Sequence, residues 1–191
     1  MASQVVAPQA MEVRRRSRTP AALGAAVVVL AGLAWWGHPE AFGERLGVVY
    51  ADTDVGRALA VGAVATPDEP VTIFGIRPVT SPGLDATLSL CTPVPGADRL
   101  GGAAADRIGE HCSSLEPVGA GTRISSTQPD GSPEPYVVAV LTRREPGPQF
   151  FCGVDVVYRS GLRVGLDRSA GSVAAVLGDK GDDEDYRTFC G

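Results

Sequence analysis

An uncharged apolar run near the amino terminus constrains this chain more than any other feature. Residues 21–37 read AALGAAVVVLAGLAWWG and contain no charged side chain. A helix needs about 17 to 25 residues to cross the hydrocarbon core of a bilayer, so the run has the length of a short span. Trp35 and Trp36 close it, where indole rings settle at the membrane interface. The sequence therefore predicts a transmembrane helix over residues 21–37.

The charges on the two sides of this run predict its orientation. Of the 17 basic and 22 acidic residues, four arginines and one glutamate precede it. The arginines are Arg14, Arg15, Arg16 and Arg18. The positive-inside rule leaves this side in the cytoplasm. We therefore expect a single-pass protein of the cell membrane, with a disordered cytoplasmic tail (1–20), a span (21–37), a juxtamembrane linker (38–47) and an extracytoplasmic domain (48–191).

Two other interpretations of the apolar run stay open. Its high alanine and glycine content gives modest hydrophobicity, which also suits a cleaved signal peptide or a buried helix of a soluble protein. No A-x-A cleavage site follows it in His38–Phe42, and this favours a retained anchor. Small residues share helix faces at Ala22 and Ala26 and at Gly24 and Gly32. Such spacing permits close helix approach, hence a weak homodimer through the span.

Cysteine usage agrees with export. The four cysteines, Cys91, Cys112, Cys152 and Cys190, all lie in the predicted extracytoplasmic part. An even number in an exported chain predicts two disulfides, with three possible connectivities. We favour Cys91–Cys112 with Cys152–Cys190, and a Cys91–Cys152 bridge between two sheets is the main alternative. No C-x-x-C pair occurs, which disfavours a zinc ribbon or a redox motif.

Short apolar runs between turn signals predict that residues 48–191 form a mainly β domain. The clearest runs are Val71–Arg77, Ala86–Cys91, Tyr136–Thr142, Phe150–Arg159 and Leu162–Asp167, and weaker ones are Leu46–Tyr50, Arg57–Gly62, Gly121–Ser126 and Ser172–Leu177. Ser160-Gly161 is a two-residue hairpin signal between two of these runs. In the arm after this turn, Leu162, Val164 and Leu166 share one face and Arg163 and Asp167 the other. Seven to nine short strands predict an immunoglobulin-like β-sandwich in architecture.

A long, disulfide-stapled insertion separates Cys91 from Tyr136. It is rich in proline and glycine, and its stretch Ala103–His111 can form a short helix beside Cys112. Structureless loops of such length are uncommon inside compact domains and are often functional. The insertion is therefore a candidate ligand or partner surface. The alternative is an elaborated connection between strands.

The residues needed for familiar chemistry are sparse. The two histidines, His38 and His111, lack converging ligands at metal-site spacing, and each is expected to be a surface residue. No nucleophile elbow, zinc-protease helix, P-loop or dinucleotide motif occurs. A net charge of −5 disfavours nucleic-acid binding. We therefore expect no catalytic residue, no cofactor and no metal.

Clusters of charged residues are weaker candidates for binding sites. Asp179–Asp185 holds five carboxylates that suit weak extracellular calcium, although a solvated acidic turn is the simpler interpretation. Asp52–Gly56 fits a calcium loop less well. Arg143-Arg144 and Arg159/Arg163 suit anionic cell-wall polymers, or protect strand edges from aggregation.

One segment carries a resemblance. Gly153–Gly165, GVDVVYRSGLRVG, resembles a hairpin of uncharacterised actinobacterial single-pass envelope proteins, which share the layout of basic tail, span and small β-sandwich. The resemblance implies placement in the cell envelope and no particular activity.

We therefore expect a membrane-anchored extracytoplasmic binding or scaffolding module, whose partner is another envelope protein or a cell-wall polymer. A secreted ligand-binding or inhibitor domain released by signal cleavage is one alternative. An extracytoplasmic hydrolase that uses carboxylates is the other, since paired carboxylates need only meet in space.

Overall fold

The computed structural model describes residues 42, 47–64, 66–67, 69–125, 134–170, 173–178 and 183–190. The predicted tail (1–20), the predicted transmembrane helix (21–37) and most of the predicted linker lie outside these residues. Within them, no helix has both the length and the apolar character to cross a membrane.

The described residues form eleven strands, one 3₁₀ helix and one α-helix. The strands are β1 (Gly47–Ala51), β2 (Ala58–Val64), β3 (Val71–Thr80), β4 (Leu84–Pro93), β5 (Gly102–Ala104), β6 (Cys112–Pro117), β7 (Arg123–Ile124), β8 (Tyr136–Arg143), β9 (Gln149–Ser160), β10 (Arg163–Ala170) and β11 (Val173–Leu177). The 3₁₀ helix spans Ala105–Glu110, and the α-helix, α1, spans Asp183–Cys190. The domain is mainly β, as the apolar runs predicted.

The strands form two sheets. In the part of the chain described, sheet A has the order β1-β11-β9-β3-β7, and β10 also pairs with β9. Both β10 and β11 run antiparallel to β9 along successive parts of one edge, while β3 occupies its other edge. Strand β1 pairs in parallel with β11. Sheet B has the order β5-β2-β8-β4-β6 and is antiparallel throughout.

One apolar core joins the inner faces of the two sheets. Sheet A contributes Ile73, Phe151 and Tyr158, and sheet B contributes Val61 and Leu141, all of them fully buried. The continuous apolar run at Tyr136–Thr142 is covered on both faces, as is typical of a central strand. Alternate residues of β8 face the common core, while the others join a second cluster on the outer side of sheet B.

The insertion after Cys91 is more ordered than its composition predicted. It supplies β5 and β6, the outermost strands of sheet B, and the 3₁₀ helix that lies where a helix was expected. Leu100 and Ile108 pack over the outer side of that sheet. The backbone N–H of Leu100 donates to the Tyr136 hydroxyl (3.1 Å). Its glycines and prolines misled the prediction because edge strands need few apolar side chains. Residues 126–133 lie outside the described part.

Both disulfides have the favoured pairing. Cys91 is joined to Cys112 and Cys152 to Cys190, so the alternative Cys91–Cys152 bridge is wrong. The first bridge fastens the insertion to β4. The second fastens α1 to the outer side of sheet A, where Tyr186 packs near Phe150. Helix α1 thereby covers the part of that side which contains Phe150 and Cys152.

Candidate functional site

The rest of the outer side of sheet A carries exposed apolar side chains. Phe74, Val157, Val164, Leu166 and the turn residue Leu162 are each between 38% and 88% exposed. We call these five residues the open face. They account for most of the large exposed apolar residues in the described part of the chain. Sheet B is covered outside by the insertion, and α1 covers the other end of sheet A. The open face is therefore the main apolar surface without a cover among the described elements.

Two β-bulges determine which side chains point outward. The first bulge is on β9, where the register of its pairing with β3 shifts between Val79 and Thr80. Gly153 lies at this bulge and has a φ of 109°. The extra residue moves Asp155 and Val157 onto the outer side, whereas Val154 and Val156 enter the core. On β3 the register shifts again between Ile73 and Gly75. Phe74 lies in this second bulge and is 47% exposed.

The inner side of β10 explains why its apolar residues face solvent. Gly165 lies opposite Tyr158, and a Cβ atom added there would be 2.5 Å from the Tyr158 Cζ atom. The phenol ring fills the space that a side chain would occupy. Phe42 packs edge-on against the same ring, with ring centres 5.0 Å apart. Val164 and Leu166, on the other face of β10, therefore point away from the core.

Arginines surround the open face. Arg77 pairs with Asp155 (2.6 Å). The Arg159 guanidinium lies 6.0 Å from the centre of the Phe74 ring, a cation–π arrangement. Arg159 and the exposed Arg168 form no salt bridge with another described residue. A chain with net charge −5 thus places two arginines that lack a described acidic partner beside its exposed apolar surface.

A shallow depression of about 390 Å³ crosses the open face. It is lined by Gly75, Val157 and Leu166 and by the charged residues Arg77, Asp155 and Arg168. Gly75 faces open space, because a Cβ atom there would meet no atom within 4 Å. The depression can take an apolar side chain of a partner, and Arg168, which has no salt bridge with a described residue, can pair with a carboxylate next to it.

The insertion, our sequence-based candidate surface, has a structural role. It supplies the outermost strands of sheet B and covers the outer side of that sheet. Its 3₁₀ helix carries one exposed ion pair, between Arg107 and Glu110 (2.7 Å). The hydrogen bond from Arg107 lowers the pKa of the Glu110 carboxyl below its usual range. This pair lies on the surface and is not joined to the open face.

The histidine and acidic candidates do not come together. His111 donates from Nδ1 to the backbone oxygen of Asp98 (3.1 Å), and His38 lies outside the described residues. Of the acidic cluster, Glu184 and Asp185 are exposed on α1, and residues 179–182 are not described. Asp52 and Asp54 are exposed. Across the described ranges, no group of three His, Cys, Asp or Glu residues is placed to hold a metal ion.

Arg143 is not available to a polymer, which corrects one sequence-based candidate. Its side chain is buried and donates to the backbone oxygens of Thr53 and Glu145. Gly178 leaves room for this guanidinium, since a Cβ atom there would be 2.6 Å from Nη1. Arg144 is exposed and pairs with Asp85 (2.5 Å). In the other predicted basic pair, Arg159 and Arg163, Arg159 lies beside the open face.

The sequence places three open-face residues on one face of a strand but does not show that this face is exposed. The alternation of Leu162, Val164 and Leu166 was correct, but periodicity does not say which face is buried. Gly165 is the residue that could have indicated which face is buried. It lies on the polar face of β10, where the lack of a side chain leaves room for a large neighbouring residue.

No protein-family model, no curated protein and no solved structure matches this chain. The open face and its charges are therefore the features from which a function can be inferred.

Proposed function

We propose that this chain is a membrane-anchored binding module of the cell envelope, which binds an acidic and apolar protein partner through the open face. Residues 21–37 are its anchor, and the two sheets form an immunoglobulin-like sandwich outside the membrane. What supports the architecture is that two mainly antiparallel sheets share one core. What supports export is the presence of two disulfides.

One observation carries the binding role: exposed apolar side chains and two arginines without a salt bridge to any described residue, Arg159 and Arg168, lie together on the part of sheet A that no described element covers. Exposed apolar patches with a polar rim are typical of interaction sites. Arginine is enriched at interfaces, where its guanidinium pairs with carboxylates. A protein segment with apolar and acidic side chains satisfies both features. A neutral polysaccharide satisfies neither.

Binding is tested with two fluorescent peptide pools of equal leucine content, one containing glutamate and the other lysine. We expect the purified full-length protein in detergent to bind the glutamate pool, with affinity that falls as salt increases. Leu166→Asp is expected to weaken binding about tenfold, the loss of roughly 1.4 kcal/mol. Leu115→Asp is the matched control, because Leu115 is 42% exposed and Leu166 45%, and both lie on strands with one described neighbour.

Three results would overturn this binding proposal. They are equal binding of both pools, equal loss from both leucine variants, and binding of purified cell-wall polymer in place of either pool. The third result favours the polymer partner that the sequence also allowed.

The anchor is tested separately by the intact mass of the native protein in membrane and soluble fractions, with thiols alkylated before and after reduction. We expect a full-length membrane species that has no free thiol before reduction. A shortened soluble species would mean signal cleavage. Free thiols would contradict export.

A further inference from the structure

Strand β10 has an edge without a strand neighbour in the described part of sheet A. It pairs with β9 from Arg163 to Asp167, and no described strand lies along its other side. The unpaired N–H and C=O groups of such an edge are a template for another strand. We propose that β10 pairs in antiparallel fashion with β10 of a second copy of this chain, about a two-fold axis at Gly165.

The hydrogen-bonding register permits this axis. Ser160 and Arg163 flank the two-residue turn, and the residues that flank such a turn direct their backbone groups at each other. The direction of the backbone N–H and C=O groups alternates along a strand. Those of Arg163 and Gly165 therefore point to β9, whereas those of Val164 and Leu166 point to the free edge. An axis at Gly165 sets Val164 opposite Leu166 of the second copy, so that each can exchange hydrogen bonds with the other.

The side chains are self-complementary in the same register. Arg163 stands opposite Asp167 of the second copy, and symmetry repeats the pair on the other side of the axis. These two residues form a non-hydrogen-bonded pair, in which side chains lie closest. On the outer side, Val164 meets Leu166, which are 50% and 45% exposed in the single chain. Two glycines meet at the axis, where no side chain obstructs the approach.

Neighbouring registers lose this match. An axis at Val164 sets Arg163 opposite Gly165, and an axis at Leu166 sets Asp167 opposite Gly165. Neither joins the two charges. Register in a sheet is fixed by such opposed pairs, so the sequence of β10 selects the axis at Gly165.

Both charged groups have capacity for the new contact. Arg163 forms no salt bridge with another described residue. The Asp167 carboxylate accepts the backbone N–H of Phe42 (3.3 Å). A carboxylate has about four acceptor positions, so contacts within the chain do not prevent Asp167 from accepting a further hydrogen bond. Pairing two copies also joins their open faces into one surface, but the inference does not depend on the proposed binding function.

The test is sedimentation equilibrium of the full-length protein, in detergent micelles matched to the solvent density and without any ligand. We expect a reversible dimer. Arg163→Asp sets two aspartates against each other twice, and Asp167→Arg does the same with arginines. Each variant alone is expected to raise the dimer dissociation constant about tenfold, since like charges directly opposite are unfavourable. An equimolar mixture of the two variants restores both pairs and is expected to recover the dimer.

Recovery in the mixture is the decisive readout, because a general loss of stability in either variant would not be reversed by mixing. The double variant R163D/D167R provides a second check, since it also restores opposite charges and should dimerise like the unchanged protein. A monomer at all concentrations would overturn the proposal. A dimer that both variants leave unchanged would overturn it too, and would favour association through residues 21–37.

Discussion

Gly165 and Tyr158 face each other across the β9–β10 hairpin, and the tyrosine ring occupies the position of the missing glycine side chain. The nearest approaches of an added Cβ atom would be 2.5 Å to Cζ and 2.6 Å to the hydroxyl oxygen. Tyr158 is fully buried, so its ring has little room to move. This contact turns the apolar side chains of β10 outward and thereby creates part of the open face.

Gly165→Ala should destabilise the protein. The added methyl group must displace a buried ring, and overpacking of this kind costs about 1 to 3 kcal/mol. Chemical denaturation of the full-length protein would measure the change in the free energy of unfolding. Gly75→Ala is the matched control, as Gly75 lies in the same sheet and faces open space. Equal effects of the two substitutions would contradict the Tyr158 contact.

Gly75 also offers a way to fill the depression in the open face. Gly75→Leu places an apolar side chain where we propose that a partner inserts one, and it meets no atom near its Cβ position. We expect binding of the glutamate peptide pool to weaken about tenfold, equivalent to roughly 1.4 kcal/mol, with the unfolding free energy nearly unchanged. Gly109→Leu serves as control, because Gly109 also faces open space but belongs to the insertion. Unchanged binding in G75L would exclude the depression as the contact site.

The two disulfides should make similar contributions to stability but affect different regions. They separate their cysteines by 21 and 38 residues, for which loop entropy predicts about 3 to 4 kcal/mol each. Replacing Cys152 and Cys190 by alanine should also release α1, because a helix of eight residues is not stable alone. Limited tryptic cleavage at Arg187 would detect this release.

In the matched variant that lacks Cys91 and Cys112, Arg187 should keep its protection from trypsin. Rapid cleavage at Arg187 in both variants would mean that the disulfide does not determine where α1 docks.

Adjacent arginines on and after β8 should differ sharply in importance. Arg143→Met removes a buried guanidinium that donates to two backbone oxygens, and hydrogen bonds of charged groups contribute about 1.5 to 3 kcal/mol. Arg144→Met breaks an exposed pair with Asp85, worth about 1 kcal/mol at most. Thermal unfolding of both variants would measure the difference. If R144M proved the more destabilising, the buried role of Arg143 would be wrong.

Glu110 should titrate below the usual range of a glutamate. The hydrogen bond from Arg107 favours the ionised form and lowers the folded-state pKa, so any stabilisation exists above the unfolded-state pKa and is lost as pH falls through the folded-state pKa. The pair is largely exposed to solvent, so we expect a measurable titration shift with little change in stability. Carboxyl NMR would follow the titration. Arg107→Met should return the pKa of Glu110 toward its ordinary value, and an unchanged pKa in that variant would contradict the role of the Arg107 hydrogen bond.

Local pattern predicted the strong strands because burial and alternation leave a direct trace in sequence. Val71–Arg77 became β3, and the apolar run from Tyr136 became β8. The hairpin was also predicted, but its turn comprises Gly161 and Leu162, one residue later than expected, because Ser160 pairs with Arg163. Choosing between adjacent turns depends on the pairing of the whole hairpin and not on the turn residues alone.

Two features of the structure could not be predicted from the local sequence pattern. Strands β5 and β6 have few apolar residues and exist because β2 and β4 supply partners. The exposure of Val164 and Leu166 depends on Tyr158, which belongs to another strand. The open face therefore arises from tertiary contacts, although each of its residues lies in a strand or turn that the sequence indicated.

The parallel pairing of β1 with β11 joins nearly the two ends of the domain. Nearby, Phe42 and Asp167 are in contact across 125 residues of chain. During synthesis from the amino terminus, β1 must wait without a partner until almost the whole domain has been made. Contacts so distant along the chain slow folding. In an exported protein, the first strand would remain an unpaired edge throughout translocation, and the sheet would close only after its last strand has emerged.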